Sequence, residues 1–228
     1  MVWSCPLDLC EPAWVELVAG LAPAERRDAE RRADPLDRRR LLAARGWRRH
    51  LLAAELECDP GEVPIVVDRR GKPRIGGARD AELRFNASRS RELTLVALSR
   101  RMEVGVDVEA VDPATDVERF AARYLSEVEQ RALAEQPPEQ RREGLFACWT
   151  RKEAYLKGKG DGLSVLPATV EVWGGDDRPV TVSGWSVHSL AAGPGFAAAV
   201  AGSESHGWMP SGPHKRNVST SGALHSNE

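Results

Sequence analysis

A chain of 228 residues with 42% hydrophobic and 29% charged side chains has enough apolar material for one large domain or two small ones. This is neither a disordered nor a collagen-like composition, and a formal net charge of -2 speaks against wholesale attraction to nucleic acid. No apolar run approaches the roughly 20 residues of a membrane-spanning helix, and Asp8 and Glu11 interrupt the place where a signal-peptide core would sit. A cytoplasmic protein with no membrane partner is expected. Cys5, Cys10, Cys58 and Cys148 form no C-x-x-C pair and read as reduced, mostly buried thiols.

Charge is densest over residues 24–57. Between Arg38 and His50, six arginines are interleaved with Leu41, Leu42 and Trp47, and apolar spacings of three, four and seven predict an amphipathic helix. Its arginines form either a solvated face or an anion-binding surface, which the two-pronged guanidinium suits well. Turns rich in Gly, Pro and charge at 58–61 and 68–77 flank a short strand, 63–67. Residues 92–99 alternate two apolar sets, as in a strand covered on both faces, and 100–102 reads as a hairpin connection into a strand at 103–110.

Helices are predicted over 116–124 and 126–135, where Ser126 and Glu129 have capping-box spacing. A polar loop at 136–142 precedes a helix at 146–157, stopped by Gly158, Gly160 and Gly162. Short strands follow at 168–173, 179–182, 185–190 and 195–200. From Gly202 the composition predicts a mobile tail carrying no chemistry. The pattern is mixed α+β.

Three constellations carry polar chemistry. In Val104-Gly105-Val106-Asp107-Val108-Glu109, a strand's period of two puts Gly105, Asp107 and Glu109 on one face. The glycine there leaves room for a ligand to approach the backbone. Two carboxylates at that spacing repel unless a cation neutralises them, and a hard ion such as Mg²⁺ does so with substrate phosphates completing its shell. The alternative is a solvated acidic face.

On a helix, Trp149, Glu153 and Lys157 share a face, adding a carboxylate and a cation, unless they form an ordinary surface pair. Five of the 32 basic residues are lysine, and three of those, Lys152, Lys157 and Lys159, fall within eight positions. Lysine can give up its proton, whereas arginine keeps it. Phe85-Asn86-Ala87-Ser88-Arg89-Ser90 reads as a loop beside a strand edge, suited to phosphate or simply commonplace. No nucleophile elbow, Walker A loop, G-x-G-x-x-G or H-E-x-x-H pattern occurs, and His50 and His188 stand apart.

Taken in order, Gly71-Lys72-Pro73, Phe85-Asn86-Ala87-Ser88-Arg89-Ser90, Gly105-Val106-Asp107-Val108-Glu109 and Trp149-Thr150-Arg151-Lys152-Glu153-Ala154 resemble the motifs of 4′-phosphopantetheinyl transferases. The likeness is to the surfactin-synthetase-activating (Sfp) type, and chain length and the arginine-rich helix are similar too. The resemblance implies an α+β fold of two similar, pseudo-symmetric halves, 1–103 and 104–202, followed by a disordered tail, 203–228. Coenzyme A would lie between the halves. The implied reaction moves 4′-phosphopantetheine from coenzyme A to a serine of an acyl or peptidyl carrier protein, releases 3′,5′-ADP and depends on Mg²⁺. A monomer serving secondary metabolite biosynthesis is implied.

Carried over residue by residue, Asp107, Glu109 and Glu153 match the magnesium-binding acids, and Glu153 also matches the group proposed to deprotonate the carrier serine. Lys157 matches the lysine that contacts the phosphate and protonates the leaving 3′,5′-ADP, and Lys152 belongs to the same motif. Ser88 and Arg89 match a loop contacting the 3′-phosphate, with Arg89 where most relatives have histidine. Arg40 and Arg45 match basic positions near the adenine nucleotide, and Lys72 is another nucleotide-side candidate. The Arg89 departure motivates an alternative, a non-catalytic module that binds coenzyme A or a carrier protein. A nucleic-acid binder using residues 38–49 is disfavoured by the nearby acids.

Overall fold

The computed structural model describes residues 1–77, 83–160, 165–174, 178–203, 213–218 and 224–227. The chain begins with strand β1 (Val2–Pro6), then helices α1 (Glu11–Ala19), α2 (Pro23–Glu30) and α3 (Pro35–Leu56). Asp34 caps α3 by accepting from the backbone N–H groups of Leu36 and Asp37, and Pro35 occupies the first turn, where no amide donor is needed. Of the predicted apolar positions Trp47 is buried, together with Ala43, Leu51 and Leu52, whereas Leu41 and Leu42 are half-buried. Trp47 is fully buried and donates its indole N–H to the Pro6 carbonyl at 2.8 Å. Losing such a side chain costs about 3–5 kcal/mol.

The short strands β2 (Ile65–Val67) and β3 (Pro73–Ile75) form a hairpin, followed by β4 (Arg84–Ser90) and β5 (Leu93–Ser99). Antiparallel pairing joins β5 to β1 on one side and to β4 on the other. As the alternation predicts, β5 is covered twice. Val96 and Leu98 face the Trp47 cluster, whereas Leu95 and Ala97 face a second core shared with Val104, Val106 and Val108.

Those valines lie on β6 (Val104–Ala110), which belongs to the other sheet. The predicted β5–β6 hairpin is therefore corrected: β6 pairs with β9, not with β5. The second sheet runs β6–β9–β8–β7, with β7 (Val180–Val182), β8 (Trp185–Leu190) and β9 (Phe196–Ser203). Its other face carries α4 (Val117–Tyr124), α5 (Glu127–Glu135) and α6 (Arg141–Lys159) over a core that includes Leu133, Tyr155, Ala199 and Ala201. The architecture is thus α+β, with helices outside and two sheets sharing valine and alanine faces between them.

The Ser126–Glu129 capping box forms as predicted. Helix α6 begins inside the expected 136–142 loop and runs through Gly158 to a left-handed cap at Gly160, with φ of 74°. Gly158 therefore does not stop the helix, and Gly162 lies outside the described residues. A Cβ at Gly105 would stand 2.0 Å from the Ala154 carbonyl oxygen, and one at Gly158 would stand 2.4 Å from the Trp185 ring. These two glycines let α6 press against β6. This overturns the expectation that Gly105 makes room for a ligand, because helix backbone fills the space.

The expected strand at 168–173 is instead a 3₁₀ turn, Pro167–Thr169, leading into irregular chain. Beyond residue 202, where a mobile tail was expected, β10 (His214–Val218) pairs parallel with β1, and β11 (Leu224–Asn227) pairs with β10. The His214 ring lies 5.0 Å from Trp3. Cys5 and Cys148 are buried, Cys58 is half-buried, and Cys10 is exposed.

Candidate active site

The segment 84–90 is strand rather than loop, so Asn86, Ser88 and Ser90 project to one side with a period of two. They lie against β6. Asn86 Oδ1 accepts from the Val106 N–H at 2.9 Å, and Ser90 Oγ accepts from the Ala110 N–H at 3.0 Å. Both contacts join residues 20 apart, so the strands run in parallel, bridged by side chains. Serine hydroxyls reach the acids: Ser88 Oγ donates to Asp107 Oδ1 at 2.8 Å, and Ser90 Oγ donates to Glu109 Oε2 at 2.9 Å.

Helix α6 closes the cluster. Lys157 Nζ lies 2.5 Å from Asp107 Oδ1, 3.2 Å from Ser88 Oγ and 3.9 Å from Glu153 Oε2. Asp107 is fully buried, and its Oδ2 has no hydrogen-bond partner. Burial pushes the Glu109 carboxyl above the ordinary glutamate value, and the neighbouring Asp107 charge pushes it further. Burial likewise raises Glu153, with Lys157 opposing and Asp107 reinforcing the shift. Two glutamates on two elements therefore both feel the Asp107 charge.

Among the described residues, no three His, Cys, Asp or Glu side chains are gathered tightly enough to hold a metal ion as they stand. The Lys157 ammonium lies between Asp107 and Glu153. The donor set is nonetheless all oxygen, includes a buried unpartnered carboxylate oxygen and carries excess negative charge, which is the chemistry a hard divalent cation seeks.

Two cavities flank β4, and Ala87 lines both. One, of about 250 Å³, is bounded by Arg70, Lys72, Pro73, Asn86 and Lys157. The other, of about 190 Å³, is walled by Leu41, Arg45 and Arg48 of α3 and by Ser88 and Arg89 of β4. Each arginine there already meets a carboxylate: Arg45 pairs with Asp28, Arg48 with Glu25 at 2.7 Å, and Arg89 with Asp37 at 2.8 Å. Arg48 Nε is buried and has no hydrogen-bond partner.

The other predicted residues separate. Arg40 is held by Asp8 through two bonds of 2.7 and 2.6 Å and does not line the arginine cavity. Lys72 lines the first cavity, but its ammonium is engaged by Glu103 Oε2 at 3.1 Å and the Gly158 carbonyl at 2.6 Å. Its burial holds it below the usual lysine range despite Glu103.

Lys152 is corrected outright. It is fully buried and bonds to Glu129 Oε2 at 2.6 Å and to the carbonyls of Pro167 and Val170, so all its donors point into the core. Ser90 was read only as one of two phosphate-side hydroxyls, and Asn86 and Arg48 were given no individual role; the structure sets Asn86 and Ser90 against β6 and Arg48 in the cavity wall. The even polar spacing 86, 88, 90 and the helical offset from Arg45 to Arg48 were the signals for them.

The site thus combines a buried acidic cluster bridged by a lysine with an arginine-lined cavity on an α+β frame. Residues 103–201 match the 4′-phosphopantetheinyl transferase superfamily. The chain is 37% identical to the 4′-phosphopantetheinyl transferase HetI of Nostoc sp. over 214 residues, 92% of this chain and 89% of that one. It is 30% identical to a Bacillus subtilis 4′-phosphopantetheinyl transferase over 54% of this chain and 53% of that one. Against the B. subtilis enzyme Sfp the figure is 25%, over 64% and 62% respectively. The chain belongs to the 4′-phosphopantetheinyl transferase superfamily. It is a transferase that moves 4′-phosphopantetheine from coenzyme A to a carrier protein.

Proposed function

We propose that this transferase is of the Sfp type, with halves 1–103 and 104–202, and that it works with Mg²⁺ held by Asp107, Glu109 and Glu153. The observation that carries this reading is the unpartnered buried oxygen of Asp107 beside two glutamates raised first by burial and then by the Asp107 charge. When bound, the ion supplies positive charge for the pyrophosphate of coenzyme A and offsets charge on the leaving group. Lys157 then turns from Asp107 to the phosphate, as its flexible stem permits, and donates a proton to the departing 3′,5′-ADP.

Glu153 accepts the proton of the carrier serine, a task for which a carboxyl raised by burial is better matched than an ordinary one. Ser88, Arg89 and Arg45 receive the 3′-phosphate in the arginine cavity, with Arg48 behind them. The nucleophile is the partner's, and the enzyme contributes positioning and charge. Incubation with coenzyme A, Mg²⁺ and a panel of apo-carrier proteins should raise a carrier's mass by one phosphopantetheine, and a chelator should abolish the gain. Unmodified carriers across the panel would overturn the transfer, and chelator-resistant transfer would overturn the metal.

A further inference from the structure

Asp37 begins a line of residues on one face of α3: Leu41, Ala44, Arg45 and Arg48 follow at offsets of four, seven, eight and eleven, and all four line the arginine cavity. From this place its carboxylate reaches across to β4 and takes Arg89 Nη1 at 2.8 Å, with Arg32 more distant at 3.9 Å. The pair is partly open to solvent, at 23% and 34% side-chain exposure. Glu25 differs: its side chain is 14% exposed, binds both Arg48 and Arg49 and accepts the Ala22 N–H, so it belongs to the frame.

We infer that Asp37 is a resident competitor for the anion cavity, a carboxylate that an incoming 3′-phosphate must displace or share Arg89 with, and that it sets the enzyme's affinity for the nucleotide. The inference rests on the reading that this cavity takes the 3′-phosphate. The physical logic is direct. An arginine held ready by a carboxylate is oriented, but part of its attraction for phosphate is already spent, and the negative charge beside Arg89 repels a second anion. A competitor of this kind weakens coenzyme A and 3′,5′-ADP together, so it favours product release. It also fits an arginine at this position, because a guanidinium stays charged at every working pH and needs a built-in counter-charge to temper it.

The test measures binding of 3′,5′-ADP and of 5′-AMP, which lacks the 3′-phosphate, to the wild-type protein and to Asp37→Asn and Asp37→Glu. Wild type should bind 3′,5′-ADP more tightly than 5′-AMP. Asp37→Asn should tighten 3′,5′-ADP by about two- to fivefold, the range of a partly exposed ion pair, and leave 5′-AMP unchanged. Asp37→Glu should return the 3′,5′-ADP affinity toward wild type. A merely structural role would lower the melting temperature and shift both nucleotides alike, which would overturn the inference. Wild type binding both nucleotides equally would overturn the cavity assignment and the inference with it. Wild type discriminating while Asp37→Asn fails to tighten 3′,5′-ADP would overturn the inference alone.

Discussion

Lys157 Nζ and Asp107 Oδ1 lie 2.5 Å apart, and the other oxygen of the same carboxylate has no partner. A fully buried acid is thus neutralised from one side only. The lysine itself is one-third exposed. Asp107→Asn keeps the shape and the Ser88 contact while removing the charge. Turnover should fall by about 10²- to 10³-fold, the usual scale for deleting one electrostatic element of a site, with the melting temperature little changed. Carrier mass spectrometry alongside thermal melts reads both; undiminished turnover would remove Asp107 from the mechanism.

Glu109 gives a pH prediction. Burial, then the Asp107 charge, raises its folded value above the unfolded one. The stability this group contributes is therefore fully present below the unfolded value and is lost as pH rises through the folded value. At pH 7.5 the wild type carries the cost of an ionised, half-buried carboxylate, and Glu109→Gln does not. The variant should melt higher than wild type at pH 7.5, and the two should converge below about pH 4, under the ordinary glutamate value. A variant that melts lower at pH 7.5 would contradict the burial cost.

Much of the fold was legible where local chemistry decides it. The apolar spacing around Trp47 marks α3, Ser126 and Glu129 start α5, and the two apolar sets of 92–99 mark a doubly covered strand. Strand partners were not legible, because periodicity says which face is buried and not which edge is bonded. The 5-to-6 hairpin failed for this reason. The β4 edge is bridged to β6 by Asn86 and Ser90, a side-chain substitute for a ladder that leaves no backbone pattern to predict.

Gly105 was also misread, and its correction makes a stability prediction. An added Cβ would meet the Ala154 oxygen at 2.0 Å and the Gly158 nitrogen at 2.3 Å, both helix backbone that cannot rotate aside. Gly105→Ala must push α6 off β6 and should cost about 3 kcal/mol or more, lowering the melting temperature by roughly 6–12 °C. Because Glu153 and Lys157 ride on α6, residual turnover should fall as well. A near-normal melting curve would show that the helix yields cheaply.

The two motif lysines show where sequence reasoning about the site runs out. Lys152 and Lys157 are five positions apart, which on a helix places them on different faces, and spacing alone cannot say which face meets the cleft. Packing decides it. The face bearing Lys157 is pressed against β6 and its acid, whereas Lys152 points toward α5 and the 3₁₀ turn. Composition had marked both as chemical.

Glu129 shows what Lys152 does instead. Its carboxylate, fully buried, accepts the N–H groups of Ser126 at 2.9 Å and Val172 at 2.8 Å while pairing with Lys152. One ion pair thus ties α5, α6 and the chain before β7 together. Lys152→Met leaves a buried charge unpaired and should cost about 3–5 kcal/mol, a drop of roughly 10 °C in melting temperature. Adding Glu129→Gln removes the stranded charge and keeps an acceptor for one of the two N–H groups, so the double variant should recover part of the loss. At a temperature where the single variant is folded, its KM for coenzyme A should match wild type. A raised KM with an unchanged melting temperature would instead return Lys152 to the binding site.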